Sequence, residues 1–418
     1  MKRSLVALAV LLCIGAGTLL AAIGYLDGRG IGPRRLAAFV AQRQATSDSV
    51  VGSLIQTSLR AAEHTMPVAP DFSDWPVGAG AAPTVASTAS LTVADIAQLR
   101  AAMAQAEPGA VIVLQPGDYR IDGAPLVASR AGRADAPITV RGGAGVRLAV
   151  NVTEGFSVAA PYWRFEQLTV DGVCGRPSNC EHAFHVVGQA HHFVAVGNTV
   201  RDFNAHFKIN GSGGAFPDHG LIEYNTLSNR AVRVTGSPVT PIDLVAASDW
   251  TIRANLISDF IKRGGDDDVS YGAFAKGGGS ANRFERNVVW CEQALRGQPG
   301  YRVGLSFGGG GTGARYCRDG KCIVEQSESV MTANLVAACS DDGVYMNNAA
   351  HSRVAGNWVL GTSGVSARFA GTSADIEDNV IDGPIRRRDG ALVRESGNRS
   401  GNFDGTAPTD YQAQSRRR

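Results

Sequence analysis

Asn198-Thr-Val-Arg201, Asn225-Thr-Leu-Ser228, Asn255-Leu-Ile-Ser258, Asn287-Val-Val-Trp290, Asn334-Leu-Val-Ala337, Asn357-Trp-Val-Leu360 and Asn379-Val-Ile-Asp382 repeat one theme, an asparagine that opens a short, mostly apolar strand. Subtraction gives spacings of 27, 30, 32, 47, 23 and 22 residues. Periods in the twenties, stretched by insertions, predict a solenoid with one coil per repeat. No regular leucine framework is present, and the segments are too short and β-rich for helical repeats. The fold expected is a right-handed parallel β-helix. Side chains at equivalent turns of stacked coils lie about 4.8 Å apart, close enough for amides to hydrogen-bond along the stack. The asparagine column is therefore structural.

Working outward, Thr92-Val-Ala-Asp95 reads as an N-cap for a helix carrying Ile96, Leu99, Met103 and Ala106, closed by Pro108-Gly109. Val111-Ile-Val-Leu114 follows as a first strand. A helix at this point covers the apolar end that the first coil would otherwise expose. The β-helix domain is expected over 89–400, with a flexible tail over 401–418. Before it, 27–88 is rich in Ala, Ser and Pro and reads as a linker or stalk. Lys2-Arg3 precedes 22 uncharged residues from Leu5 to Leu26, the length of a bilayer-spanning helix. Residues 1–26 are expected to be an uncleaved signal anchor, with a cleaved signal peptide as the alternative. That reading places the domain in the periplasm or outside the cell, tethered to the inner membrane.

The 51 glycines and 7% aromatics suit tight turns around a thin core. The 40 basic and 38 acidic residues nearly cancel, so global charge makes no case for nucleic acid. Outside Cys13, six cysteines allow fifteen pairings. Cys174 with Cys180 and Cys317 with Cys322 are close enough to staple loops, which would leave Cys291 for Cys339. Zinc needs tighter spacing and nearby histidines, so disulfides are preferred, in keeping with export.

Counting back from each asparagine aligns Phe184-His-Val186, Phe207-Lys-Ile-Asn210, Ile242-Asp-Leu244, Ala273-Phe-Ala-Lys276, Leu305-Ser-Phe307, Val344-Tyr-Met-Asn347 and Val365-Ser-Ala-Arg368. If the apolar members face the core, His185, Lys208, Asn210, Asp243, Phe274, Lys276, Tyr345, Asn347 and Arg368 face out. Rings stack on sugars, amides reach hydroxyls and cations meet carboxylates, so the column suits an acidic polysaccharide. Lys208, Asn210, Phe274, Tyr345, Asn347 and Arg368 are the expected substrate contacts. Asp266-Asp267-Asp268, with Asp243 from the preceding coil, would supply oxygen ligands for calcium. Lys276 is the expected base. Removing the proton α to a uronate carboxylate needs a neutral base and a neutralised carboxylate, and calcium with Arg302 would help meet both demands. The glycines after Lys276 would let a substrate approach the backbone.

Ile96-Ala-Gln-Leu-Arg-Ala-Ala-Met-Ala-Gln-Ala-Glu-Pro-Gly-Ala-Val-Ile-Val-Leu-Gln-Pro-Gly-Asp-Tyr119, Ala136-Pro-Ile-Thr-Val-Arg141 and Tyr162-Trp-Arg-Phe-Glu-Gln-Leu-Thr-Val-Asp-Gly172 resemble the cap and first coils of the parallel β-helix polysaccharide lyases, especially the chondroitinase B and alginate lyase family. The resemblance implies a lysine base at Lys276, an arginine partner one coil on, and acidic calcium ligands just before the lysine. Asp266 to Asp268 are also similar to the aspartate-rich calcium site of the lysine-using pectate lyases. Where the family has its arginine, this chain reads Leu305-Ser-Phe-Gly-Gly-Gly-Gly311, a departure from the family pattern that Arg302, just before it, does not match.

The expectation is a monomeric lyase cleaving a uronic-acid polymer by β-elimination. Three other readings stand beside it: a non-catalytic polysaccharide-binding or export scaffold, an epimerase, and a glycoside hydrolase using Asp341 and Asp342. Gly304-Leu-Ser306-Phe-Gly308 matches a hydrolase nucleophile elbow, but that motif belongs on a strand-to-helix turn.

Overall fold

A computed structural model describes residues 69–83, 91–309 and 311–401, together with scattered helical positions between Gly15 and Leu26. The expected anchor lies largely outside the described residues, and so do 27–68 of the expected linker and the tail beyond 401. Among the described residues, no helix is long and apolar enough to cross a membrane.

From Leu91 to Ser400 the chain winds a parallel β-helix. Three sheets of 12, 11 and 10 strands run its length, and each coil gives one strand to each sheet in turn. The first sheet starts at Leu91–Val93, the second at Gly117–Ile121 and the third at Leu126–Ala128. Helix α1, Ile96–Gln105, closes the end as expected, with Asp95 accepting a hydrogen bond from the Gln98 amide at 2.8 Å. Leu99, Ala102 and Met103 turn its apolar face onto the first coils.

The asparagine column forms at the turn between the first and second sheets. Each Nδ2 donates to the Oδ1 of the next asparagine at 2.8–3.0 Å, from Asn198 through Asn225, Asn255, Asn287, Asn334, Asn357 and Asn379 to Asn398. Asn398 extends the predicted seven. The residue before each asparagine takes a left-handed φ, including Tyr224, Ala254, Arg286, Ala333 and Asp378. A side chain at such a φ is strained, and the buried amide bonds on either side hold it there.

In the third sheet the register pairs Phe184, Phe207, Ile242, Ala273, Leu305, Val344 and Val365 in one column, as the sequence alignment required. These side chains are core, with the Phe156, Phe184 and Phe207 rings stacked at 4.8 and 5.0 Å.

The described part of the expected linker does not stand clear of the domain. Phe72, Trp75 and Val77 are buried on the outer face of the second sheet against Val288, Trp290, Leu335 and Leu360. The Ala79 amide donates to Thr226 Oγ1 at 3.0 Å, and the Gly78 amide to the Ala254 carbonyl at 2.9 Å. An apolar outer sheet face is unstable in water, and this strap covers it.

All three expected disulfides are present: Cys174–Cys180, Cys291–Cys339 and Cys317–Cys322.

Candidate active face

The outer surface of the third sheet carries two columns. One pairs His185, Lys208, Asp243, Phe274, Ser306, Tyr345, Ser366 and Arg386 in sequence. The other includes Asn210, Val245 and Lys276, and further along Asn347, Arg368 and Arg388. Neighbours within a column are about 4.8 Å apart. The predicted outward set therefore does share one wall, but its members have unequal access to solvent.

Lys276 ends the strand Val269–Lys276 and lies half-buried with Nζ 4.5 Å from the centre of the Phe274 ring. Residues 308–309 and 311–325 lie against it. A Cβ on Gly309 would stand only 3.1 Å from Lys276 Cδ, so glycine lets this loop approach the lysine closely. The Arg318 amide donates to the Gly277 carbonyl and the Gly278 amide to the Glu325 carbonyl, both at 2.8 Å. Glu325 also accepts from the Gly277 amide at 3.1 Å and from Thr312 Oγ1 at 2.7 Å. Arg318 reaches across to Asp218 at 2.8 Å and lies over the Phe216 ring, and the Cys317–Cys322 disulfide closes the loop. The glycines after Lys276 thus seat this loop, where the sequence suggested room for substrate. Burial pushes the Lys276 amine below its ordinary proton affinity; Asp243 opposes that shift, Lys208 adds to it and Glu325 opposes it.

Lys208 is half-buried and pairs with Asp243 at 2.9 Å. Asp243 is therefore committed to a cation. Asp268 lies six residues before Phe274, the register partner of Asp243, so about 20 Å of strand separates the two aspartate positions. Asp267 pairs with Lys262 at 2.6 Å and Asp268 accepts from the Gly264 amide at 2.8 Å, while Asp266 is exposed. Calcium ligands sit 2.3–2.6 Å from the ion. The four aspartates do not fit one calcium ion, and among the described residues they form no converging ligand group.

Arg302 is also placed differently. Its side chain is 1% exposed and pairs with Glu292 at 2.8 Å while donating to the Gly300 carbonyl at 2.8 Å. It holds the 292–300 loop and does not reach the groove column. Phe274, expected to stack on sugar, is 2% exposed and packs with Val245, Ala246, Phe216 and Tyr271. Asn347 is buried and donates to the Tyr345 hydroxyl at 2.9 Å. Tyr345 remains half-buried, and Arg368 is held by Asp389.

Sequence reading missed Tyr271. Its ring meets Phe274 edge-on at 5.5 Å, and burial followed by nearby negative groups raises its pKa, keeping the phenol protonated. Gly272 is why it was missed. A Cβ there would strike Val289 in the core at 2.8 Å, so Gly272 and Ala273 both face inward and the strict alternation breaks. The same corner places Gly304 against Val336, which accounts for the first glycine of the elbow-like motif. Ser306 is fully buried with its hydroxyl on the Gly308 carbonyl. Of the hydrolase pair, Asp342 is buried and pairs with Arg386.

A second polar group lies further down the same face. Glu154 Oε1 stands 2.7 Å from His185 Nδ1 and 3.7 Å from His182 Nδ1, and His185 Nε2 meets Asn210 Oδ1 at 2.9 Å. His182 and then His185 hold the Glu154 carboxyl down to about 2. Burial opposes charge on His185, but the bond and charge of Glu154 outweigh it and raise its pKa.

No protein-family model matches this chain, and no curated protein does. Among solved structures it is similar to pectate lyase Pel9A, at 16% identity over 81% of this chain and 84% of that one with a TM-score of 0.46. It is also similar to an alginate lyase from Paenibacillus sp. str. FPU-7, at 14% over 75% and 97% with a TM-score of 0.43. A third is a PL6 family polysaccharide lyase from Pseudopedobacter saltans, at 10% over 77% and 94% with a TM-score of 0.41. All three are polysaccharide lyases. Likeness at this level leaves the site to be read from its own residues.

Proposed function

We propose that the chain is a lyase that cleaves an acidic, uronic-acid-containing polysaccharide by β-elimination, with Lys276 as the base. The observation that carries this reading is the Lys276 amine itself. It lies on an elongated polar wall, its proton affinity is lowered by burial, and Lys208 stands on the neighbouring column.

Lys276 in its neutral form takes the proton α to the carboxylate. The C–H electrons form a double bond to the adjacent carbon, whose bond to the glycosidic oxygen breaks. Lys208, oriented by Asp243, neutralises the carboxylate whose charge would otherwise resist carbanion formation. Tyr271, kept protonated by its surroundings, supplies the proton for the departing oxygen. The three disulfides support an exported chain working in an oxidising compartment.

Incubation of the chain with alginate, pectate and glycosaminoglycans tests the reading. Ultraviolet absorbance from the new conjugated double bond is the expected result, with a rate that climbs as pH rises through the lowered Lys276 pKa. Reducing ends without that absorbance point to hydrolysis, and intact polymers throughout remove the lyase reading.

A further inference from the structure

The wall carries a polar cluster that the elimination does not use. His182 and His185 are three residues apart on one strand, a spacing that normally points side chains to opposite faces. Here Ala183 and Phe184 are both fully buried in the core, because the strand rounds the same corner that Gly272 occupies three coils on. The flanking histidines therefore turn out together, with ring centres 5.0 Å apart. The register sets Glu154 directly opposite His182 on the preceding coil.

Two imidazole nitrogens and one carboxylate oxygen thus converge, all within 4.8 Å of one another. We propose that Glu154, His182 and His185 form a binding site for one divalent transition-metal ion, of which zinc is the best match, with a coordination position left open toward the groove.

Four observations carry this. The ligand set, two histidines and a carboxylate, is one that catalytic zinc sites use with an open fourth position. His185 Nε2 faces the Asn210 side-chain oxygen, and the Asn210 amide nitrogen is fixed on the Gly211 carbonyl at 3.0 Å. Nε2 therefore keeps its proton, while the Nδ1 proton, held by Glu154 at 2.7 Å, is the one an ion at the centre of the cluster would displace, the outer-shell arrangement that orients metal-binding histidines. His182 Nδ1 is sealed from solvent and makes no hydrogen bond; at 3.7 Å it is too far from Glu154 for one. Tetrahedral zinc with bonds of about 2.0–2.1 Å separates its ligand atoms by about 3.3 Å, and the two distances from Glu154 Oε1, 2.7 and 3.7 Å, bracket that value.

The site is separate from the proposed base. His185, Lys208, Asp243 and Phe274 are successive register partners, so three coils, about 14 Å, lie between the histidine and the ring under Lys276. An ion there would take a carboxylate or hydroxyl of a sugar bound away from the point of cleavage.

Titration of the chelator-treated full chain with cobalt(II) and zinc chloride tests the site without any polymer. One equivalent should bind, cobalt should give the visible bands of a low-coordinate, nitrogen-bearing site, and calcium should not compete. His185→Ala and Glu154→Gln should each weaken binding at least tenfold, and Asn210→Leu by about 10–100-fold, with circular dichroism unchanged. His192→Ala, in the separate surface cluster with His191 and His219, should leave binding intact. Absent binding, full binding in both His185→Ala and Glu154→Gln, or loss of binding in His192→Ala overturns the assignment. Lys276→Met separates this proposal from the lyase reading, because it should bind cobalt like the parent whatever it does to turnover.

Discussion

The outer faces of the second and third sheets are built by the same coils, yet they have opposite fates. The second presents Val288, Trp290, Leu335 and Leu360 and is covered by the chain's own Phe72, Trp75 and Val77. On the third are Lys208, Lys276, Tyr345 and Arg368, which are only half-buried or more exposed. A solenoid fixes the backbone equally on every side, so the difference lies wholly in the outward residues of each strand. Apolar ones recruit a strap that completes the fold, and polar ones leave a wall open to ligand.

That contrast can be broken from either side. On the open wall, Lys276→Met should lower the elimination rate by about 10²–10⁴-fold without moving the unfolding midpoint by more than a few degrees, read by absorbance kinetics and thermal melts. On the covered face, Trp75→Ala should cost about 3–5 kcal/mol in denaturant unfolding while leaving turnover per folded molecule unchanged. If Trp75→Ala instead abolished turnover in a folded protein, the two faces would not be separable.

Beneath the open wall, His206 is fully buried, donates to the Ser228 carbonyl, and is lowered to about 4 by burial. An unfolded histidine titrates near 6.5, so as pH falls the unfolded chain takes up this proton first. The stability held by neutral His206 is complete above about pH 6.5, drains between there and about pH 4, and amounts to about 3 kcal/mol. His206→Phe should flatten that segment of the acid-unfolding profile. The smallest effect belongs to the turns. Ala333→Gly relieves a left-handed φ of 53° and should raise stability by at most about 1 kcal/mol, visible in a careful melt.

The coil was legible because its signals are local and repeated. Each asparagine marks a turn, two-residue alternation follows, and the third-sheet register from Phe184 to Val365 emerges by counting. The site was legible only where alternation holds, as at Lys208 and Lys276. Counting cannot see depth. Phe274 and Asn347 occupy outward positions and are still buried, the first beside Phe216 and Val245 and the second beside Tyr345. Nor does it see past corners. Tyr271 and the His182–His185 pair emerge where two successive residues turn inward. Asp266 to Asp268 precede the strand that Lys276 ends, and Arg302 pairs in register with Ser270 at the start of that strand, so roughly 20 Å or more of strand separates each from the lysine.

The asparagine ladder also makes this protein a ruler. The loops tolerate repeats from 19 to 47 residues, yet every rung advances the wall by the same increment, about 4.8 Å. Splicing in or excising a single coil at an asparagine would therefore change the reach of the wall by one fixed graduation, while the chemistry on the flanking coils stays in place.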